Sequence, residues 1–161
     1  LQDALSLADS GPVVIRYPKG VARSVQNQQL ATGLNALQLR QDPAKGTCIL
    51  AVGKMVRAAE EAATILESHG IATTVWDVRS CVPLDSAMLE SANGHRAVLT
   101  IEDGIREGGI GMAIADALTV PTRVLGIPTK FIPQAKPDAI LAQLGLDSNG
   151  IVRTVREMVG S

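Results

Sequence analysis

The chain has 161 residues, 46 % of them hydrophobic and 19 % charged, with a formal net charge of −1. That length suits one ordinary domain, or one compact domain with a piece of another, and the apolar content sets it apart from disordered sequences. Lys, Arg, Asp and Glu are interspersed, which leaves no broad basic field for nucleic acid or an anionic membrane, and no apolar run approaches the length of a membrane span. Cys48 in CILAV and Cys81 in RSCVPL have no second cysteine at metal or redox spacing, so both are expected as buried thiols in a reducing, cytoplasmic setting. The opening LQDALSLADSG begins without methionine or a signal segment and reads as the closing turns of a helix, so the chain is expected to be the trailing part of something longer.

Residues 2–9 place Ala4, Leu5 and Ala8 at helical spacing, and Gly11-Pro12 ends that helix. Val13, Val14 and Ile15 predict a short buried strand. The stretch that follows dissolves into Gln, Asn, Thr and Gly, with a strand hint only from Ala36 to Leu39. The expected division is therefore 1–20 as the end of one domain, 21–44 as a linker and 45–161 as a second domain.

From Lys45 onward the pattern is regular. TCILAVG is a continuous apolar run, the mark of a strand covered on both faces. MVRAAEEAATILESHG carries Val56, Ala59, Ala63 and Leu66 at helical spacing, an Arg57/Glu61 pair one turn apart, and Gly70 as its stop. IATTVWDV predicts a strand, Asp85 caps a short helix, AVLTIED is another strand, GGIGMAIADAL a helix that begins in glycines, and TRVLGIP a further strand. Two helices close the chain, Pro137 to Leu144 and one through Ile151, Val152, Val155 and Val159. Such alternation predicts an α/β fold, a mostly parallel sheet with helices on both faces.

Few side chains offer chemistry. AVGKM has the look of a phosphate loop, but the distance from Gly46 to Gly53 is wrong and Met55 stands where a hydroxyl is needed, so Lys54 reads as a solvated first-turn residue. EDGIREGGIG lacks the third glycine of a dinucleotide fingerprint; Gly108, Gly109 and Gly111 are expected to let a helix pack closely on strands or on a neighbouring subunit. Glu102 and Asp103 fall at the carboxyl end of a strand, where open α/β sheets bind ligands, and are the carboxylates singled out as site candidates, with a charged loop as the alternative. His69 at a helix end and His95 in a loop are expected at the surface. Arg16 emerges where Pro18 would end a strand and Gly20 would permit a turn, with the Tyr17 ring expected to pack beside it. Its planar guanidinium suits bidentate capture of phosphate or carboxylate; a cation there also serves solubility alone, and the residues by themselves leave function open.

IRYPKG resembles the IRYPRG segment near the end of the pyrimidine-binding domain in the 1-deoxy-D-xylulose 5-phosphate synthase family. ILAVGKMVRAAEEAATILESHGI, VRSCVPLD, LTIEDGIREGGIG, GIPTKFIPQ and LGLDSNGIVRTVREMV keep register with that family's C-terminal, transketolase-type domain. The resemblance implies a transketolase C-terminal-domain-like fold, preceded by the last helix and strand of a pyrimidine-binding domain. It implies an enzyme using thiamin diphosphate and Mg2+, both bound by upstream domains, which decarboxylates pyruvate and joins it to glyceraldehyde 3-phosphate. The product, 1-deoxy-D-xylulose 5-phosphate, feeds isoprenoid, thiamin and pyridoxal synthesis. Arg16 maps onto the arginine that grips the aldehyde's phosphate, and no catalytic, cofactor or metal ligand maps onto this chain. A homodimer is implied, with this part supporting the dimer and the packing of the other domains and inactive by itself. Lys19, Ser80, Cys81, Met112 and Thr129 depart from the family pattern, Thr129 standing where an aspartate is usual. The EDG…GGIG piece also resembles the beta-type subunit of α-keto acid dehydrogenases, one alternative; a non-enzymatic assembly module is another.

Overall fold

In the computed structural model, which describes residues 2–17 and 33–160, the apolar runs of the second half meet in one five-stranded sheet. Its strands are β1 (Leu37–Arg40), β2 (Thr47–Ala51), β3 (Thr73–Asp77), β4 (Ala97–Ile105) and β5 (Thr122–Ile127), in the order β1-β3-β2-β4-β5. β2 runs parallel to both β3 and β4, β4 runs parallel to β5, and β1 pairs antiparallel with β3. Every residue of the central β2 is buried, which is why TCILA reads as an unbroken apolar run.

Side chains alternate across β2 and divide the core in two. Ile49 and Ala51 face α2 (Met55–Ser68), α5 (Pro137–Gln143) and α6 (Ser148–Val159), joined by Leu66, Val75, Leu99, Ile101, Ile151 and Val155. Cys48 and Leu50 lie on the other side, with Trp76, Val98, Met88 of α3 (Ser86–Asn93) and Ile114 of α4 (Ile110–Ala117). Burial pushes the Cys48 thiol up to about 12. Helix ends follow their expected signals. Gly70 takes a φ of 76° just after α2, Arg57 and Glu61 pair at 2.9 Å, and Asp85 accepts the N–H groups of Ala87 and Met88. The other Asp85 oxygen accepts the Ala36 N–H at 2.7 Å, fastening the approach to β1 onto α3.

Several expectations are corrected. Val13, Val14 and Ile15 form no strand: 12–17 is irregular, Val14 is 91 % exposed, and no described residue pairs with this backbone. Tyr17 is 80 % exposed rather than packed beside Arg16, and Pro18, Lys19 and Gly20 lie outside the described residues. The helix before it is short, α1 (Gln2–Leu7) followed by a 3-10 turn over Ala8–Ser10. Leu37–Arg40, inside the stretch read as linker, is an edge strand of the sheet. His95 is buried, not at the surface: its Nδ1 lies 2.9 Å from the Ser91 carbonyl and its Nε2 2.8 Å from Thr74 Oγ1, which also receives the Asp42 N–H. Cys81 is exposed, because the turn after β3 carries it off the sheet.

Candidate substrate site at the carboxyl end of the sheet

β4 is the longest strand, and its last residues shape this end of the molecule. Its register against β5 shifts between Ile101 and Ile105, so the ladder is interrupted across Glu102, Asp103 and Gly104. Glu102 is 4 % exposed, and its Oε1 accepts the Gly111 N–H at 2.8 Å, setting a carboxylate against the first turn of α4. Glycines surround it. A Cβ on Gly104 would lie 2.6 Å from Glu102 Oε2, and one on Gly111 would lie 2.6 Å from Thr100 Oγ1 and 2.8 Å from Val124 Cγ1. A Cβ on Gly109 would run into the Ile105 carbonyl and the Glu102 carboxylate. The glycines therefore do let a helix pack closely on strands, and the reading of Glu102 as part of a charged loop is corrected: it is a buried strand residue inside a glycine collar.

Asp103, the next residue, is 23 % exposed at its side chain and meets Arg16, whose Nη2 stands 3.5 Å from Asp103 Oδ1. Arg16 itself is 69 % exposed. The structure thus brings together three residues singled out in the sequence, Arg16, Glu102 and Asp103. Cys81 joins them: its thiol is raised above the ordinary value by burial first and then by the Glu102 charge, with Arg16 pulling the other way. Sequence reasoning passed over Arg79, which leaves the end of β3 with a φ of 59°, a left-handed conformation unusual for a non-glycine residue, and lies 3.8 Å from Asp77 through Nε. A cation directly after a buried apolar run was the available signal.

The departures at Met112 and Thr129 both touch the glycine segment. Met112 Sδ accepts the Gly108 N–H at 3.2 Å, and Thr129 donates its N–H and its hydroxyl to Glu107 Oε2, each at 3.0 Å. Ser80 Oγ donates to the Pro83 carbonyl at 2.7 Å, across the turn that contains Cys81. Lys54 immediately precedes α2 and His69 immediately follows it. Among the described residues, no group of three or more His, Cys, Asp or Glu side chains could hold a metal ion, and no helix is long and apolar enough to cross a membrane.

Comparison with known proteins gives this geometry a context. The chain is 39 % identical to the 1-deoxy-D-xylulose-5-phosphate synthase of Thermobifida fusca, over 99 % of its own length and 26 % of that protein's. It is 36 % identical to 1-deoxy-D-xylulose-5-phosphate synthase 2 of Kitasatospora griseola, over 100 % of this chain and 27 % of that protein. The chain thus spans about a quarter of the length of these curated relatives. A solved structure described as a split gene transketolase, inactive beta4 tetramer, superposes with a TM-score of 0.76 at 31 % identity, covering 86 % of this chain and 46 % of that one. The transketolase of Campylobacter jejuni superposes with a TM-score of 0.59 at 20 % identity, over 77 % of this chain and 18 % of that one, a likeness of fold alone. Residues 36–151 match the model of the transketolase C-terminal domain, and with β1 to β5 falling inside that span, the chain belongs to this family.

Proposed function

We propose that this chain is the carboxyl-terminal part of a 1-deoxy-D-xylulose 5-phosphate synthase, and that Arg16 holds the phosphate of glyceraldehyde 3-phosphate. The observation that carries the reading is the placement of the Arg16 guanidinium, largely open to solvent, against the carboxyl end of β4. A planar fork of N–H donors there suits a phosphate dianion, and gripping the phosphate fixes where the aldehyde carbon lies. The identity to curated synthases over nearly the whole chain supports it.

In this reading residues 1–20 end a pyrimidine-binding domain, 21–35 link it to the second domain, which opens with β1, and the remaining domains of a cytoplasmic homodimer hold thiamin diphosphate and Mg2+. When bound, the cofactor supplies the carbanion chemistry for decarboxylating pyruvate; this chain's residues bind and orient the acceptor aldehyde and shape the site wall. The chain alone is then inactive, in keeping with a similar solved structure being described as inactive.

Arg16→Ala in the intact enzyme tests the proposal. It should raise KM for glyceraldehyde 3-phosphate by the equivalent of about 2 kcal/mol, the low end of the scale for removing one partner of a charged pair, because Arg16 is exposed. KM for pyruvate should stay as it is. An unchanged KM for the aldehyde removes Arg16 from the site.

A further inference from the structure

We propose that Asp103 is a positioning residue: from its seat beside the Glu102 collar it holds the Arg16 guanidinium at the carboxyl end of the sheet, in the pose that receives the phosphate. The inference rests on the reading of Arg16 given above.

Arg16 belongs to an irregular, exposed segment with no strand partner among the described residues, so its own backbone does not fix where the guanidinium points. Asp103 is the opposite case. It follows a buried glutamate whose carboxylate is bonded to Gly111 and ringed by Gly104 and Gly109, and its own side chain is three-quarters covered. A well-covered anion on a strand therefore meets an exposed cation on an irregular segment, and the strand-borne partner sets the geometry. The contact engages one nitrogen, Nη2, and at 3.5 Å it is longer than a full charge-assisted hydrogen bond. It steers the fork without neutralising it and leaves the other donors for an incoming anion. A competing role, in which Asp103 occupies Arg16 and must be displaced, predicts the opposite sign: removing the charge would then tighten phosphate binding.

The test uses the full-length enzyme and the variants Asp103→Asn, Asp103→Glu, Arg16→Ala and the Asp103→Asn/Arg16→Ala pair. With glyceraldehyde 3-phosphate, Asp103→Asn should raise KM about three- to fivefold, the upper part of the range for an exposed ion pair, and Asp103→Glu should restore part of it. With unphosphorylated glyceraldehyde as acceptor the rise should vanish, and Asp103→Asn should add nothing to Arg16→Ala. A fall in KM, no change, or an equal rise with both aldehydes overturns positioning.

Cys81 gives a readout independent of turnover. Because the Arg16 charge offsets part of the rise in its thiol, the pH profile of Cys81 alkylation, followed peptide by peptide in a mass spectrometer, reports where Arg16 stands. Asp103→Asn should move the profile to higher pH, as Arg16→Ala does. A profile that stays put or moves to lower pH means that Arg16 keeps its place without Asp103, and the inference fails. Should Arg16→Ala leave KM unchanged, the phosphate reading falls, and the Cys81 profile alone then decides whether Asp103 holds Arg16.

Discussion

Glu107 lies at the surface, yet its carboxyl is lowered from an ordinary value of 4.5 to about 2, chiefly by the Arg106 side chain at 2.5 Å, then by its own backbone and by Thr129. The contribution of this group to folding is present above pH 4.5 and is lost as pH falls toward 2, because the folded form holds the proton less tightly than the unfolded chain. A carboxyl-resolved NMR titration checks the value. Thr129→Asp sets a second carboxylate against Glu107 and should shift that titration upward. Gly111→Ala should destabilise by about 1–3 kcal/mol, as for overpacking, since a Cβ there meets Thr100 and Val124, and the denaturation midpoint should fall accordingly. At this scale Glu102 and Asp103 were legible because a charged residue at a strand's carboxyl end is conspicuous in sequence, whereas Arg16 was singled out behind a strand, Val13–Ile15, that does not form. His95 was not, since its burial depends on Thr74 and Ser91, and the Thr74 partner comes from a different strand. Cys81 was misread because a hydrophobic neighbourhood in sequence, Val82 above all, is itself exposed.

Caps and sheet edges decide which elements could be read. The central strands and α2 and α6 announce themselves through long periodic or unbroken apolar runs bounded by glycine. β1 is short, antiparallel and only half buried, with Gln38 exposed and a register shift between Gln38 and Arg40, so it leaves a faint trace. Val13–Ile15 shows the reverse: a β-branched run satisfies the pattern, but a strand also needs a neighbour for its N–H and C=O groups, and composition says nothing of that neighbour. Asp85 illustrates how one cap can serve two elements. Asp85→Ala removes the bonds to Ala87 and Met88 and the one to Ala36, so it should cost about 2 kcal/mol, the top of the range for a cap, in equilibrium unfolding.

Both hydrophobic clusters draw their buried residues from within 36–160, and α1 contributes to neither. A chain trimmed to residues 36–160 should therefore unfold in one cooperative transition by circular dichroism, whereas one trimmed to 45–160 loses β1 and uncovers the edge of β3, with a lower midpoint. The comparison also places the boundary between linker and domain. Arg16 and Asp103 are 87 residues apart in sequence, and only the intervening polypeptide makes their meeting an internal event. A single hydrolysed peptide bond between Tyr17 and Gly33 would turn it into an encounter between two molecules, lacking the millimolar effective concentration that a tether supplies. A solvated charge pair and the bond from the Gly33 N–H to Asp3 are far too weak to repay that loss, so a nicked protein should keep its sheet and shed the arginine proposed to grip the phosphate.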